Sequence, residues 1–505
     1  MPGTEGRPFG RWAGGLAGFS MSLILLTALL GPSAAEPALG PRDGVRGLLP
    51  PYSLHLHASS AVVTVLLVVA YLCGGVAVAL GLIAVRRGHR LDPRKAFLVG
   101  VIFAVGAVLV PPLGSADHIN YAAYGRIAAQ GGDPYVEAPA DWHGGHDPIT
   151  SAVEPPWTRT PSIYGPVATL LQAATSKLGG DSLRATVWCW QLLCGAAWLL
   201  VGWLLLRFTA RRSGDRSPSQ SRALWLWLLN PVLYGVVLAG AHVDVIATAL
   251  ALVALFLAVR QPFWAGVALG GAVGCKLTML LTVLALVVAL RHLGARRAVR
   301  TALVGLLGAA LVLVPAHVWA GRHVFDQLKH ARIYVSLADP WRPVVDVLSG
   351  PFGHDTVRDW VVRLALIPVA LLAFALWRVV QPAPNLMPPQ SPRIAVDEER
   401  FVAEAALLMV VLNAAYVIIA PYTLPWYDAS VWAPLALVAA SALDFLLLLR
   451  LVTYALAYVP GLVSGLSPSV QDVTIDYRRL VTPYLGWLVV AVIVVWSLRR
   501  RPRSP

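Results

Sequence analysis

Residues 96–126 read AFLVGVIFAVGAVLVPPLGSADHINYAAYGR. The stretch carries no charge until Asp117, as a helix sunk in hydrocarbon requires, since its backbone must satisfy its own hydrogen bonds there. Pro111 and Pro112 stop the run, because proline has no N–H to continue a helix. Asp117 then stands about one helical turn past the end, followed by aromatics and Arg126. A carboxylate at a lipid boundary is costly unless it has a partner or a task.

The same pattern recurs along the 505 residues, of which 57% are apolar and only 13% charged. Runs of about 17 to 28 apolar residues are membrane-spanning lengths. They fall near 12–34, 59–85, 96–112, 184–207, 223–240, 243–259, 262–275, 277–290, 301–319, 361–377, 401–420, 428–449, 451–466 and 482–498. The expected fold is an all-α polytopic membrane protein of about 13–14 transmembrane helices with two long outer loops, 113–183 and 320–360. The run at 12–34 is read as a retained first span rather than a cleaved signal, because keeping it holds the later charge pattern in phase. The proline-rich stretch QPAPNLMPPQSP is read as a linker without a fold of its own.

The formal net charge of +14 does not point to nucleic acid, because the basic residues cluster beside apolar runs. RRGHRLDPRK, RRSGDRSPSQSR, RHLGARRAVR and the tail RRRPRSP all fall on one side with about fourteen spans. The positive-inside rule makes that side, with both termini, cytoplasmic. The acids complement it: Asp117, Asp133, Asp147, Asp244, Asp339 and Asp428 map outside. The four cysteines, Cys73, Cys189, Cys194 and Cys275, lie inside apolar runs, so no disulfide framework is expected.

Lys276 decides one local question. A single span over 262–290 would bury its ammonium in hydrocarbon, so two short helices turning at Lys276 are expected, with the lysine facing the outer side. The near P-loop GGAVGCKLT lacks adjacent Gly-Lys and the strand–helix setting, and is set aside. DWHGGHDP offers Asp141, His143, His146 and Asp147, but without a zinc-ligand spacing it is read as a solvated loop. In NPVLYGVVLAGAHVDV, Pro231 breaks a span and His242 and Asp244 sit in a very short outer turn. The plain reading of Asp244 is a helix cap. PPWTRTPSIYGPVATLLQAAT places Trp157 and Tyr164 before an interfacial helix, and YTLPWYDASVW places Trp426 and Tyr427 in another short outer turn. Aromatic-belt anchoring and the walls of a sugar or isoprenoid site require these residues at the same depth. Lys329, His330 and Arg332 in FDQLKHARIYV break the acidic trend of the outer side and either pair with loop acids or bind an anionic headgroup.

Taken in order, the acid after an early span, GGDPY (Asp133, Tyr135), PSIYGP (Tyr164), NPVLYGVVLAGAHVD, GCKLTMLL and LPWY resemble the actinobacterial polyprenol-phosphomannose-dependent α-1,6-mannosyltransferases of the GT-C superfamily. The likeness covers about residues 96–440. It implies a GT-C-like catalytic module over 1–450, followed by a C-terminal transmembrane pair and basic cytoplasmic tail over 451–505. It implies an inverting transfer of a hexose, mannose by resemblance, from a polyprenyl-phosphate donor to a glycan or glycolipid hydroxyl. The site lies on the outer face of the cell membrane, with no metal and no cofactor. Asp117 fits the base, with Tyr121 completing the family's Asp-x-x-x-Tyr. Lys276, Lys329 and Arg332 are the expected phosphate ligands. Tyr121, Asp133, Tyr135, Tyr164, His242, Asp244, Trp426 and Tyr427 are the expected substrate contacts. Asp133 and Asp244 stand as alternative bases. A flippase or transporter of a lipid-linked sugar is the reading from a different class, but no internal repeat of the kind transporters carry is found. A polymerase or ligase using a diphosphate-linked donor would share most of the same residues.

Overall fold

The structure is a computed structural model that describes residues 6–40, 48–210, 217–326, 334–383 and 396–500. Among the described residues the architecture is helical, with only two isolated β-bridges, Ser33 to Glu36 and Pro382 to Val438. Eight helices there are long and apolar enough to cross a membrane, and three further apolar helices are shorter.

The chain begins with α1 (Arg7–Leu30), α2 (Ser60–Arg86) and α3 (Pro93–Leu109), then the polar α4 (Asp117–Ala129). Their starts are written locally. The Ser59 hydroxyl accepts from the Val62 N–H, and Asp92, just before Pro93, accepts from the Arg94 and Lys95 N–H groups. α5 (Pro166–Gly179) packs on α4, and α6 (Leu183–Thr209) follows. α7 (Pro218–Leu226) leads through Asn230–Pro231 into a π-helical turn, Tyr234–Ala239, before α8 (Asp244–Leu257).

α9 (Pro262–Cys275) ends where expected, with Lys276 extended at φ −148° and ψ 121°. A 3-10 turn, Leu277–Met279, starts α10 (Leu280–Ala289), and α11 (Ala295–Ala320) comes next. α9 and α11 run parallel, Gly308 beside Phe263 at one end and Leu313 beside Gly274 at the other. Glycine lets them touch: a Cβ on Gly266 would stand 1.9 Å from the Gly305 carbonyl oxygen. α10 therefore runs back from Lys276, and each arm is short: α9's 14 residues span about 21 Å. α11 leaves Leu303, Leu306, Leu307 and Val318 more than 60% exposed, an apolar face that suits lipid rather than water.

The second loop holds two amphipathic helices, α12 (Arg342–Phe352) and α13 (His354–Leu364), ahead of α14 (Leu366–Val379) and α15 (Val396–Ile419). Beyond them the structure departs from the expected spans. Residues 428–466 hold a short α16 (Ala429–Leu435) and α17 (Leu443–Ala457), not two spans divided at Arg450. Hydropathy ends a span at an arginine because the bare cation is costly in lipid. Here Arg450 is buried within α17, paired with Asp428 and donating to the Val417 carbonyl. The expected division at 450/451 thus falls inside one helix. α18 (Pro468–Leu480) is polar, and α19 (Thr482–Arg499) is the last apolar helix.

Candidate active site

A cavity of about 250 Å³ opens where several helices end. Asp117 is the first residue of α4 and Asp244 the first of α8, while Lys276 directly follows α9. Carboxylates at helix N-termini and an ammonium at a C-terminus each sit in the favourable field of the helix dipole. Asp117, Asp244 and Lys276 all line the cavity. So do Tyr121, Tyr164, Trp426 and Tyr427.

The Asp117 side chain is 17% exposed. Its Oδ2 stands 3.5 Å from the Tyr121 hydroxyl, which donates, and 3.3 Å from His242 Nδ1. The loop before it is pinned by Leu113 N–H to the Ala239 carbonyl at 3.0 Å and Gly114 N–H to the Ala35 carbonyl at 2.8 Å. Tyr121 meets Tyr164 edge-on at 4.9 Å and leans on Trp190 at 5.1 Å. Across the cavity Lys276 donates to Asp244 Oδ1 and lies 3.3 Å above the Tyr427 ring. Asp244 Oδ2 is buried without a hydrogen-bond partner. A lysine held by one carboxylate and one ring keeps two further N–H donors.

The remaining expected residues divide. His242 is 1% exposed and lies behind the wall, stacked on Trp426 at 3.8 Å. Asp133 turns into its own loop, Oδ1 accepting from the Tyr135 N–H at 2.9 Å. The Tyr135 hydroxyl meets Thr169 Oγ1 at 2.9 Å, and its ring packs with Ala320 and Val324. Neither Asp133 nor Tyr135 is among the cavity's lining residues. Lys329, His330 and Arg332 lie outside the described residues. In DWHGGHDP, Asp147 accepts from Arg126 Nε at 2.9 Å and from two loop N–H groups, while Asp141 pairs with Arg159 at 3.3 Å. Burial works against the Asp147 charge, but the Thr150 and Ile149 N–H groups and the Arg126 guanidinium outweigh it and hold the carboxyl below its ordinary range.

Asn120, Tyr124, Thr160, His317 and Tyr422 also line the cavity. Asn120 and Tyr124 follow Asp117 at i+3 and i+7 on α4, so helical spacing alone places them on its face. Tyr124 donates to the Thr160 carbonyl at 2.8 Å and ties α4 to the loop before α5. Nothing in their local sequence marks His317 at the end of α11 or Tyr422 after α15.

The arrangement is a largely buried carboxylate facing an anchored ammonium across an aromatic cleft at helix ends. It can deprotonate a hydroxyl on one side and neutralise an anion on the other.

Residues 15–292 match the sequence profile of the alpha-(1->6)-mannopyranosyltransferase N-terminal domain. A probable alpha-(1->6)-mannopyranosyltransferase of Mycolicibacterium smegmatis is 32% identical over 160 residues, which is 32% of this chain and 28% of that protein. Alpha-(1->6)-mannopyranosyltransferase B of Corynebacterium glutamicum is 25% identical over 434 residues, 78% of this chain and 66% of that one. The matched stretch thus covers little more than a quarter of the mycobacterial relative. The solved archaeal oligosaccharyltransferase AglB from Archaeoglobus fulgidus, in complex with an inhibitory peptide and a dolichol-phosphate, shares 13% identity over 80% of this chain and 56% of its own at a TM-score of 0.36, a likeness too distant to argue from. The family profile runs through more than half of the chain and through Asp117, Asp244 and Lys276, and this chain belongs to the alpha-(1->6)-mannopyranosyltransferase family.

Proposed function

We propose that this protein is a GT-C-like membrane mannosyltransferase. It moves mannose from a polyprenyl-phosphate donor to a hydroxyl of a glycan or glycolipid on the outer face of the membrane, with inversion. The observation that carries the reading is the single cavity that sets Asp117 against Lys276 at the ends of apolar helices. Family membership supports the sugar. The charge pattern along the sequence supports the outer location and cytoplasmic termini.

In this mechanism Asp117 takes the proton of the acceptor hydroxyl as that oxygen attacks the anomeric carbon. The bond from that carbon to the lipid phosphate breaks, and its electron pair leaves on the phosphate oxygen. A phosphate is already a good leaving group, so the protein need only stabilise its charge, which falls to Lys276. Asp244 and Tyr427 hold the ammonium in place. Tyr121, Tyr164, Trp426 and Tyr427 offer ring faces to the sugar or the first isoprene units. Lys329 and Arg332 remain candidate phosphate ligands on charge alone. Asp133 and Tyr135 are better read as loop supports.

The test supplies radiolabelled polyprenyl-phosphate mannose, without nucleotide sugar, to membranes carrying wild type or Asp117→Asn. Transfer by the wild type alone is expected. Equal transfer by Asp117→Asn removes Asp117 as the base, and absence of transfer by either across a range of acceptors removes the reading.

A further inference from the structure

We propose that His242 is a positioning residue that orients the Asp117 carboxylate from behind the cavity wall. The inference rests on the reading of Asp117 as the base. His242 Nδ1 lies 3.3 Å from Asp117 Oδ2. Its Nε2 lies 3.3 Å from Ser115 Oγ, and Ser115 Oγ accepts the Asp117 N–H at 3.3 Å. The contacts close a ring from the Asp117 backbone, through Ser115 and the imidazole, to the Asp117 carboxylate. With the Ser115 hydroxyl donating to Nε2, the imidazole proton sits on Nδ1, close to Oδ2 but not aligned into a hydrogen bond with it. The Tyr121 hydroxyl approaches the same oxygen at 3.5 Å. A small turn of the carboxylate aligns Oδ2 with both the Nδ1 proton and the Tyr121 hydroxyl and leaves Oδ1 to meet the acceptor hydroxyl.

The backbone that delivers His242 is unusual at three successive steps. The π-helical turn Tyr234–Ala239 precedes it, and such turns collect at functional sites. At Gly240 the imidazole folds back so closely that a Cβ would stand 2.7 Å from its Cδ2 and Nε2. Ala241 takes a left-handed φ of 52° while fully buried, a conformation that side chains with a Cβ avoid unless the surroundings impose it. The surroundings do impose it: Trp190 Nε1 donates to the Ala241 carbonyl at 2.7 Å. The ring is then fixed in angle by Trp426, 3.8 Å away and tilted by 10°. A mere spacer would need none of this, since any flat side chain of that size would fill the volume.

His242→Phe tests the difference, because it keeps a flat ring on Trp426 and removes both nitrogens. His242→Asn places an amide nitrogen where Nδ1 stands. If His242 orients the base, His242→Phe lowers kcat roughly ten- to a hundredfold, the worth of one hydrogen bond to a charged group, with the donor KM little changed. His242→Asn then recovers a large part of kcat. Wild-type kcat in His242→Phe, or His242→Asn no better than His242→Phe, overturns the proposal while Asp117→Asn still reports on the reaction itself. A second readout needs no turnover. In protein carrying nitrogen-15 in its imidazoles, the His242 signals are those lost in His242→Phe. They should move in Asp117→Asn, and unchanged signals overturn the proposal even if no transfer is ever detected.

Discussion

Arg450→Met should unfold the wall of the cavity rather than weaken one contact. The Asp428 and Arg450 side chains are 0% and 1% exposed, and they form an ion pair. Arg450 also donates to the Val417 carbonyl and reaches Thr423 Oγ1 at 3.3 Å, with its guanidinium 4.0 Å over Tyr454. Thr423 in turn donates to Asp339 from its N–H at 3.0 Å and its hydroxyl at 2.8 Å, and the Tyr454 hydroxyl joins at 2.9 Å. The network clamps the second long loop to the turn Pro425–Asp428, which carries Trp426 and Tyr427. Removing the cation leaves a buried carboxylate with no counter-charge, at a cost of about 3–5 kcal/mol. That is about two to nearly four powers of ten in the folded-to-unfolded ratio. Replacing both partners by Asp428→Leu with Arg450→Met removes the stranded charge, so most of the loss should return. Thermal melting of the purified protein in one detergent compares wild type, Arg450→Met, Asp428→Leu and the double variant as a double-mutant cycle. A melting curve for Arg450→Met that matches the wild type, or a double variant no better than the single, would refute the reasoning.

Lys276→Met should lower transfer by about a hundredfold or more if its ammonium stabilises the departing phosphate. Because that variant also strands Asp244, Lys276→Met with Asp244→Asn should regain stability in the melting assay but not activity. Recovery of transfer in the double variant would show that Lys276 only neutralises Asp244. The first long loop should loosen in acid. The Asp147 carboxyl is held below its ordinary value of 3.8, so its stabilisation is complete above that value and drains away as pH falls through the lower folded-state value. Limited proteolysis between Glu137 and Tyr164 should appear below about pH 4 in the wild type, and already at neutral pH in Asp147→Asn.

Much of this architecture is legible from charges that lipid cannot hold. The break at Lys276 follows because an unpaired ammonium cannot cross a bilayer, and the structure turns the chain there. The same rule misplaces Arg450, because its partner Asp428 lies 22 residues away and hydropathy sees no pairs. Asp117 stands out as an acid just past a span, and Tyr121 comes in through the resemblance's Asp-x-x-x-Tyr. Asn120 and Tyr124 follow from helical spacing, at i+3 and i+7 from Asp117. Asp133 and Tyr135 look like site residues because they are polar and near the site, but the loop uses their polar groups to hold its own turns. His242 is placed in the right neighbourhood by its short polar turn. Whether it faces the cavity or stands behind it is decided by φ at Ala241 and the space over Gly240, which no one-dimensional pattern encodes.

The brevity of α9 also concerns the lipid around the protein. Its 14 residues make about 21 Å of helix, against an acyl core of about 30 Å. The mismatch of about 9 Å is taken up by thinning the leaflet beside Lys276 or by letting water down to it. Where the leaflet thins, a headgroup drifting along it meets a dimple at the mouth of the cavity, and sinks toward the ammonium instead of the protein lifting toward it. Bilayer thickness thereby becomes a control on turnover. In vesicles of graded acyl length, the rate should fall as the membrane thickens, and a rate indifferent to thickness would speak against the dimple.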